Sequence, residues 1–318
     1  MHDISNLIFL QNQILKMKQL LITIFAFACI SGTYAQNENP NAANIANGSF
    51  SPWHNNGDEK AILECYTLVT DANIREKPNA TAAVVSKLPI ATKVTIEQIT
   101  SDTLTLNGFP APWCKVAYTF QGKKMSGYIW GGTLAFAILK NTDEYNEDLK
   151  GLVYLVGMSK FDGKLLNTTL QIRAARNGVE ISKTEFKTAG DIGYYLDIER
   201  YSEQNLKNIK DVFEIKSYYP ACGYGSGKNL MFFTGKTISR VLETSDNADG
   251  GVFYSKEDVI LPQDKGGIAG HIMVVSDMAT FEEKEVKGVF ETKMSSQEYK
   301  VTLYKWNGEK LAKLKDWK

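Results

Sequence analysis

Short stretches of alternating apolar and polar residues recur along most of the chain, each closed by Gly, Asn, Asp or Pro. In Lys93-Val94-Thr95-Ile96-Glu97 every second side chain is apolar, which puts Val94 and Ile96 on one face of a strand. Val153 to Val156, Thr169 to Arg173, Tyr194 to Ile198 and Val212 to Ile215 are also short, β-branched or aromatic, and bounded by turn residues. Two hairpins follow. Residues 230–233 pass through Thr234-Gly235-Lys236 into 238–242, and 301–306 pass through Asn307-Gly308 into 311–314. One helix is expected, over residues 201–211 with Ser202 as its cap. The pattern predicts an all-β chain.

Apolar residues at the start have another meaning. Met17-Lys18 precedes an apolar run over 20–30 and then Ser31-Gly32-Thr33-Tyr34-Ala35, the grammar of a signal peptide ending at Ala35. The run is about half of the roughly 20 residues a membrane span needs, so the expected mature form has no membrane span. Residues 1–16 precede that grammar, and Met17 is the expected initiator. Export to the periplasm or beyond is the reading. An acylated lipoprotein at Cys29 ranks second, because Ala26 and Phe27 fit the usual lipobox poorly.

Residues 36–60 are rich in Asn, Ala and Gly and poor in large apolar side chains, which marks a flexible linker interrupted by Trp53 and His54. The polar, acidic stretch 139–150 is expected to be a second linker, between a module at 61–138 and a β-rich region at 151–318.

Within the first module the chain reads Asn73-Ile74-Arg75-Glu76-Lys77-Pro78, then Leu88, Val94-Thr95-Ile96, Trp113-Cys114-Lys115-Val116 and Gly127-Tyr128-Ile129-Trp130. This series resembles a bacterial SH3 (SH3b) domain over about residues 65–134. The resemblance implies a small SH3-like barrel, followed here by a larger antiparallel β domain of sandwich or propeller-like form. It also implies a non-catalytic binding role toward a peptidoglycan peptide or a surface protein. The sequence departs from the family at Ala91, where Gly is common, at Tyr128, where Trp is common, and in a long loop over 100–112 with Asn107-Gly108, Pro110 and Pro112.

Strand parity sorts the side chains of this module. With Val116 inward, Cys114, Tyr118 and Phe120 share its side while Trp113 and Lys115 face away; with Ile129 inward, Tyr128 and Trp130 face out. Trp113, Tyr128 and Trp130 are therefore the candidate ligand-binding residues, since rigid amphipathic rings suit peptide or glycan contacts. Covering the barrel end or the C-terminal region is their structural alternative. Arg75 supports the site or braces its own turn.

Composition narrows the partners. Thirty-six basic residues balance 36 acidic ones, so the chain lacks the basic field that collects nucleic acid. Removing the leader leaves Cys65, Cys114 and Cys222. Cys65 with Cys114 is the expected pair if a disulfide forms, and three buried thiols are the alternative.

The rival function is a cell-wall hydrolase with an unrecognised catalytic C-terminal domain, and a third is a protein scaffold. A cysteine peptidase would need Cys222 activated by His271, but Ala221-Cys222-Gly223-Tyr224 lacks the Asp-Cys-Ser-Gly motif of the NlpC/P60 enzymes often found beside SH3b modules. Gly223 to Asn229 fails as a phosphate loop: the first Gly would fall at Cys222, and Asn229 stands where a Mg-binding hydroxyl is needed. Asp246, Asp249, Glu257, Asp258 and Asp264 lack EF-hand spacing and read as a solvated loop face. No Cys/His pair has zinc-ligand spacing. Asp197 and Glu199 share a strand face without further marks of a glycosidase pair. No catalytic residue, metal ligand or cofactor is assigned.

Overall fold

The computed structural model describes residues 63–142, 146–162, 168–188, 190–192, 195–218, 222–286 and 289–318, and these are all-β. The expected leader, the Met17 start, Cys29 and the 36–60 linker lie outside the described residues. Among the described residues no helix is long and apolar enough to cross a membrane.

Three antiparallel sheets form in chain order. The first holds β1 (Leu63–Tyr66), β2 (Ala72–Arg75), β3 (Val84–Leu88), β4 (Lys93–Leu106), β5 (Phe109–Phe120) and β6 (Lys123–Trp130), in the order β1-β4-β5-β6-β2-β3. Its inner face follows the alternation: Val94, Ile96, Cys114, Val116, Tyr118 and Ile129 are all buried. Ala91 turns the chain with φ of 61°, a left-handed conformation that costs a residue with a Cβ, and its N–H bonds the Thr67 carbonyl.

The expected long loop over 100–112 is instead the outer half of a hairpin. Leu104 faces Ala111 and Leu106 faces Phe109, around Asn107 and Gly108 at φ of 51° and 76°. Pro110 and Pro112 are tolerated because β6 pairs with β5 only from Trp113 onward, so the prolines sit where β5 has a neighbour on one side.

The second sheet has the order β10-β9-β8-β7, with β7 (Ala137–Lys140), β8 (Leu152–Lys160), β9 (Thr169–Arg176) and β10 (Val179–Lys187). Leu139 and Lys140, expected in the second linker, belong to β7, which pairs with β8. The first two sheets pack directly: Leu68 lies over Gly157, where a Cβ would sit 2.3 Å from a Leu68 methyl. The hairpin turn at Gly108 abuts the Phe161 carbonyl, 2.1 Å from where a Cβ would be.

The third sheet is an eight-stranded meander in chain order: β11 (Tyr195–Ser202), β12 (Asp211–Tyr218), β13 (Ser226–Phe233), β14 (Ile238–Asp249), β15 (Phe253–Ile260), β16 (His271–Val286), β17 (Val289–Trp306) and β18 (Leu311–Trp317). Both expected hairpins are present, as β13/β14 and β17/β18. The helix expected over 201–211 is not. Turns fill the middle of that span, between β11 and β12, with Gln204, Asn205 and Asn208 at positive φ, and they bury Leu206 and Ile209.

Alternate side chains of the meander serve two cores. Ile198, Phe213, Ile215, Met231 and Phe233 join the core shared with the first two sheets. Val212, Leu230 and Phe232 point the other way and pack with Leu261, Ile272 and Trp306, so the sheet curls over its own second core.

Candidate functional site

The three aromatic candidates do not share one environment. Trp113 and Trp130 are direct cross-strand partners on β5 and β6, yet Trp113 is only 4% exposed. The Trp130 indole N–H donates to the carbonyls of Leu104 (2.9 Å) and Ala111 (3.1 Å), on the outer half of the β4/β5 hairpin. Its ring lies against Gly132, where a Cβ would come within 2.2 Å. It meets Phe109 edge-on at 6.3 Å, and Phe109 in turn meets Phe136 and Phe161 at 5.8 and 6.2 Å. Parity places both tryptophans opposite Val116, as expected. The expectation of exposure is corrected for Trp113, which is buried, and Trp130 is committed to packing against the long hairpin and Gly132.

Tyr128 remains half-exposed, and its register explains its neighbours. Lys115 on β5 and Arg75 on β2 are its Cα partners to either side, and Val84 on β3 is the next partner beyond Arg75. Lys115, Tyr128, Arg75 and Val84 thus form one row across four strands on the outer face, with none of them buried. At about 4.8 Å per strand the row spans about 14 Å.

The row sets a lysine and an arginine on the strands to either side of Tyr128. Lys115 Nζ lies 3.6 Å from Glu97 Oε2, an exposed pair that water leaves weak. Arg75 Nη1 donates to the Ala82 carbonyl at 2.6 Å, so it braces its turn with one of the five N–H donors a guanidinium carries. Lys115 was legible as outward-facing, but its place beside Tyr128 needed the strand order.

Other sequence candidates are dispersed or otherwise engaged. Cys222 is exposed, and the next residue, Gly223, bonds Ala248, which pairs through Tyr254 to Ala279 on β16. His271 starts β16 eight residues away, about 26 Å at roughly 3.3 Å per residue. No Cys–His dyad forms from these two. Cys65 and Cys114 are free buried thiols, each pushed by burial up to about 12.

The acidic residues expected on a loop face lie mostly on strands. Asp246 pairs with Lys228 at 2.6 Å, Glu257 accepts from the Ser245 N–H and the Ser276 hydroxyl, and Asp264 accepts from the Leu261 N–H. Among the described residues no three His, Cys, Asp or Glu side chains gather as a metal site. Glu199 pairs with Lys216 and faces Glu214, while Asp197 faces Lys216 on the neighbouring strand.

No protein-family model matches the chain, and neither a curated protein nor a solved structure matches it.

Proposed function

We propose that the chain is an exported, non-catalytic binding protein that holds a cell-wall peptide, or a surface protein presenting similar chemistry, on the outer face of its first sheet. The row Lys115–Tyr128–Arg75–Val84 carries this reading. A lysine and an arginine on the strands to either side of a tyrosine suit a ligand that carries a carboxylate next to an apolar or planar group, which is the chemistry of an acidic peptide stem. Val84, 42% exposed, continues the row with an apolar contact. The SH3b resemblance supports the same assignment, because its motifs fall on strands that share this sheet.

Retention on purified peptidoglycan tests it. Wild-type protein is expected in the pellet, and Tyr128→Ala and Lys115→Ala variants with unchanged melting temperature are expected in the supernatant. Wild type that stays in solution, or variants that sediment equally well, would overturn the assignment.

A further inference from the structure

The third sheet holds a polar pocket that lies apart from the row on the first sheet. It arises from the way the meander curls. β14 and β15 share only three residue pairs, Asn247 to Asp249 with Phe253 to Ser255, and beyond them the strands diverge. The rest of β15 and the following turn then face β12 and β13 across a cavity of about 150 Å³. At about 30 Å³ per water this is room for several waters or one small polar molecule.

Its wall alternates donors and acceptors above an apolar floor. Glu214 and Lys216 come from β12, Lys228 from β13 and Asp258 from β15, while Leu230 and Leu261 supply the floor. Glu214 is almost fully buried. Its Oε2 accepts from the Tyr201 hydroxyl at 3.1 Å and lies 3.6 Å from Lys216 Nζ. Lys216 and Lys228 are direct cross-strand partners, two like charges held together by the carboxylates around them. Lys228 Nζ reaches Asp246 at 2.6 Å, the Glu257 carbonyl at 3.1 Å and Asp258 at 3.9 Å. Beside it on β14, its partner Thr244 carries a buried hydroxyl with no hydrogen-bond partner among the described residues.

The charges restrict what fits. Each lysine is already paired and carboxylates outnumber lysines, so an anion would meet net repulsion. A small cation would approach two lysines on the same wall, and the carboxylates do not converge as a metal site. A neutral molecule with several hydroxyls avoids both penalties, because each hydroxyl donates to a carboxylate or accepts from a lysine. Its C–H face would rest on Leu230 and Leu261.

We propose that this pocket is a binding site for a small neutral polyhydroxylated molecule of monosaccharide size. The test is titration of the whole protein with D-glucose, D-galactose and N-acetylglucosamine, followed by calorimetry and ligand-observed NMR, with ethanolamine and inorganic phosphate as charged controls. At least one sugar is expected to bind saturably and more tightly than either control. Asp258→Asn, at a half-exposed position that does not threaten folding, and Lys228→Met are expected to weaken that sugar about tenfold each. Tyr128→Ala, on the first sheet, is expected to leave it unchanged, which separates this site from the proposed wall-binding row. Absence of saturable binding by all three sugars, tighter binding of ethanolamine or phosphate, or sugar binding indifferent to both pocket variants would each overturn the proposal.

Discussion

The Tyr154 hydroxyl on β8 donates to Oδ2 of Asp211 on β12 at 3.0 Å, tying the second sheet to the third. Arg200 Nε donates to the other carboxylate oxygen at 2.8 Å. Asp211 is fully buried, and its burial raises its pKa against the opposing pull of Arg200 and the Tyr154 bond. The Tyr154 ring packs on Phe213 at 4.3 Å and Phe233 at 5.7 Å, so hydroxyl and ring both anchor at one junction. Tyr154→Phe is expected to lower unfolding free energy by about 1.5–3 kcal/mol, and Asp211→Ala by about 3 kcal/mol, since Arg200 is part-exposed and recovers some solvation. Urea unfolding measures both. A Tyr154→Phe variant as stable as wild type would remove the bond from the account.

Glu214 gives a pH prediction. Burial raises its pKa, while Lys216 and the Tyr201 hydroxyl pull it down less strongly. A carboxylate with a raised folded-state pKa contributes stability that is complete below its unfolded value and is lost as pH rises through the folded one. Glu214→Gln, which cannot ionise, is therefore expected to gain in melting temperature relative to wild type between acid and neutral pH. A gap that closes over that interval would contradict the sign.

Ala91 occupies a left-handed turn where the SH3b pattern commonly holds glycine. Ala91→Gly relieves the Cβ strain at the expense of a freer unfolded chain, so a stabilisation of up to about 1 kcal/mol is expected. Chemical denaturation reads it directly, and a destabilised variant would show that the methyl's packing outweighs the strain.

Among the described cysteines only Cys222 is exposed. Iodoacetamide on the native protein is expected to label Cys222 and to spare Cys65 and Cys114, whose thiols are held up to about 12 by burial. Peptide mapping by mass spectrometry, native and then unfolded, distinguishes the two classes. A Cys65–Cys114 disulfide would appear as failure of both to label after unfolding without reductant.

Trp113 and Tyr128 lie two strand positions apart in the same face pattern but should respond differently. Trp113→Ala is expected to cost about 3–5 kcal/mol as a core truncation, whereas Tyr128→Ala, half-exposed, should cost under about 1 kcal/mol. Thermal melts of the two variants decide it. Equal losses would place Tyr128 in the packing rather than on a binding face.

Period-two alternation made the inner face of the first sheet legible, because Val94, Ile96, Cys114, Val116 and Ile129 are core residues by parity alone. The Asn307-Gly308 turn was legible too, since a hairpin of that kind needs positive φ at its tip and Gly308 has φ of 104°. Asn107-Gly108 carried the same signal, but nearby prolines made it look like a loop. Their place in β5 depends on where β6 stops pairing, which is a property of the sheet. Residues 201–211 misled in the opposite way, as turns with asparagines at positive φ bury Leu206 and Ile209 at a helix-like spacing.

Residue pattern by itself determined that the chain is built of strands, where most of them lie, and which side of each faces a core. These are local properties, set by the two-residue period and by turn chemistry. Tertiary structure alone decided which outward side chains stay outward and which strands become neighbours. Trp113 was buried and Trp130 was tied to the long hairpin, Lys115 and Arg75 were brought to either side of Tyr128, and Glu214, Lys216, Lys228 and Asp258 were gathered by the curl between β14 and β15. Such encounters join residues far apart in the chain, and no local period encodes them.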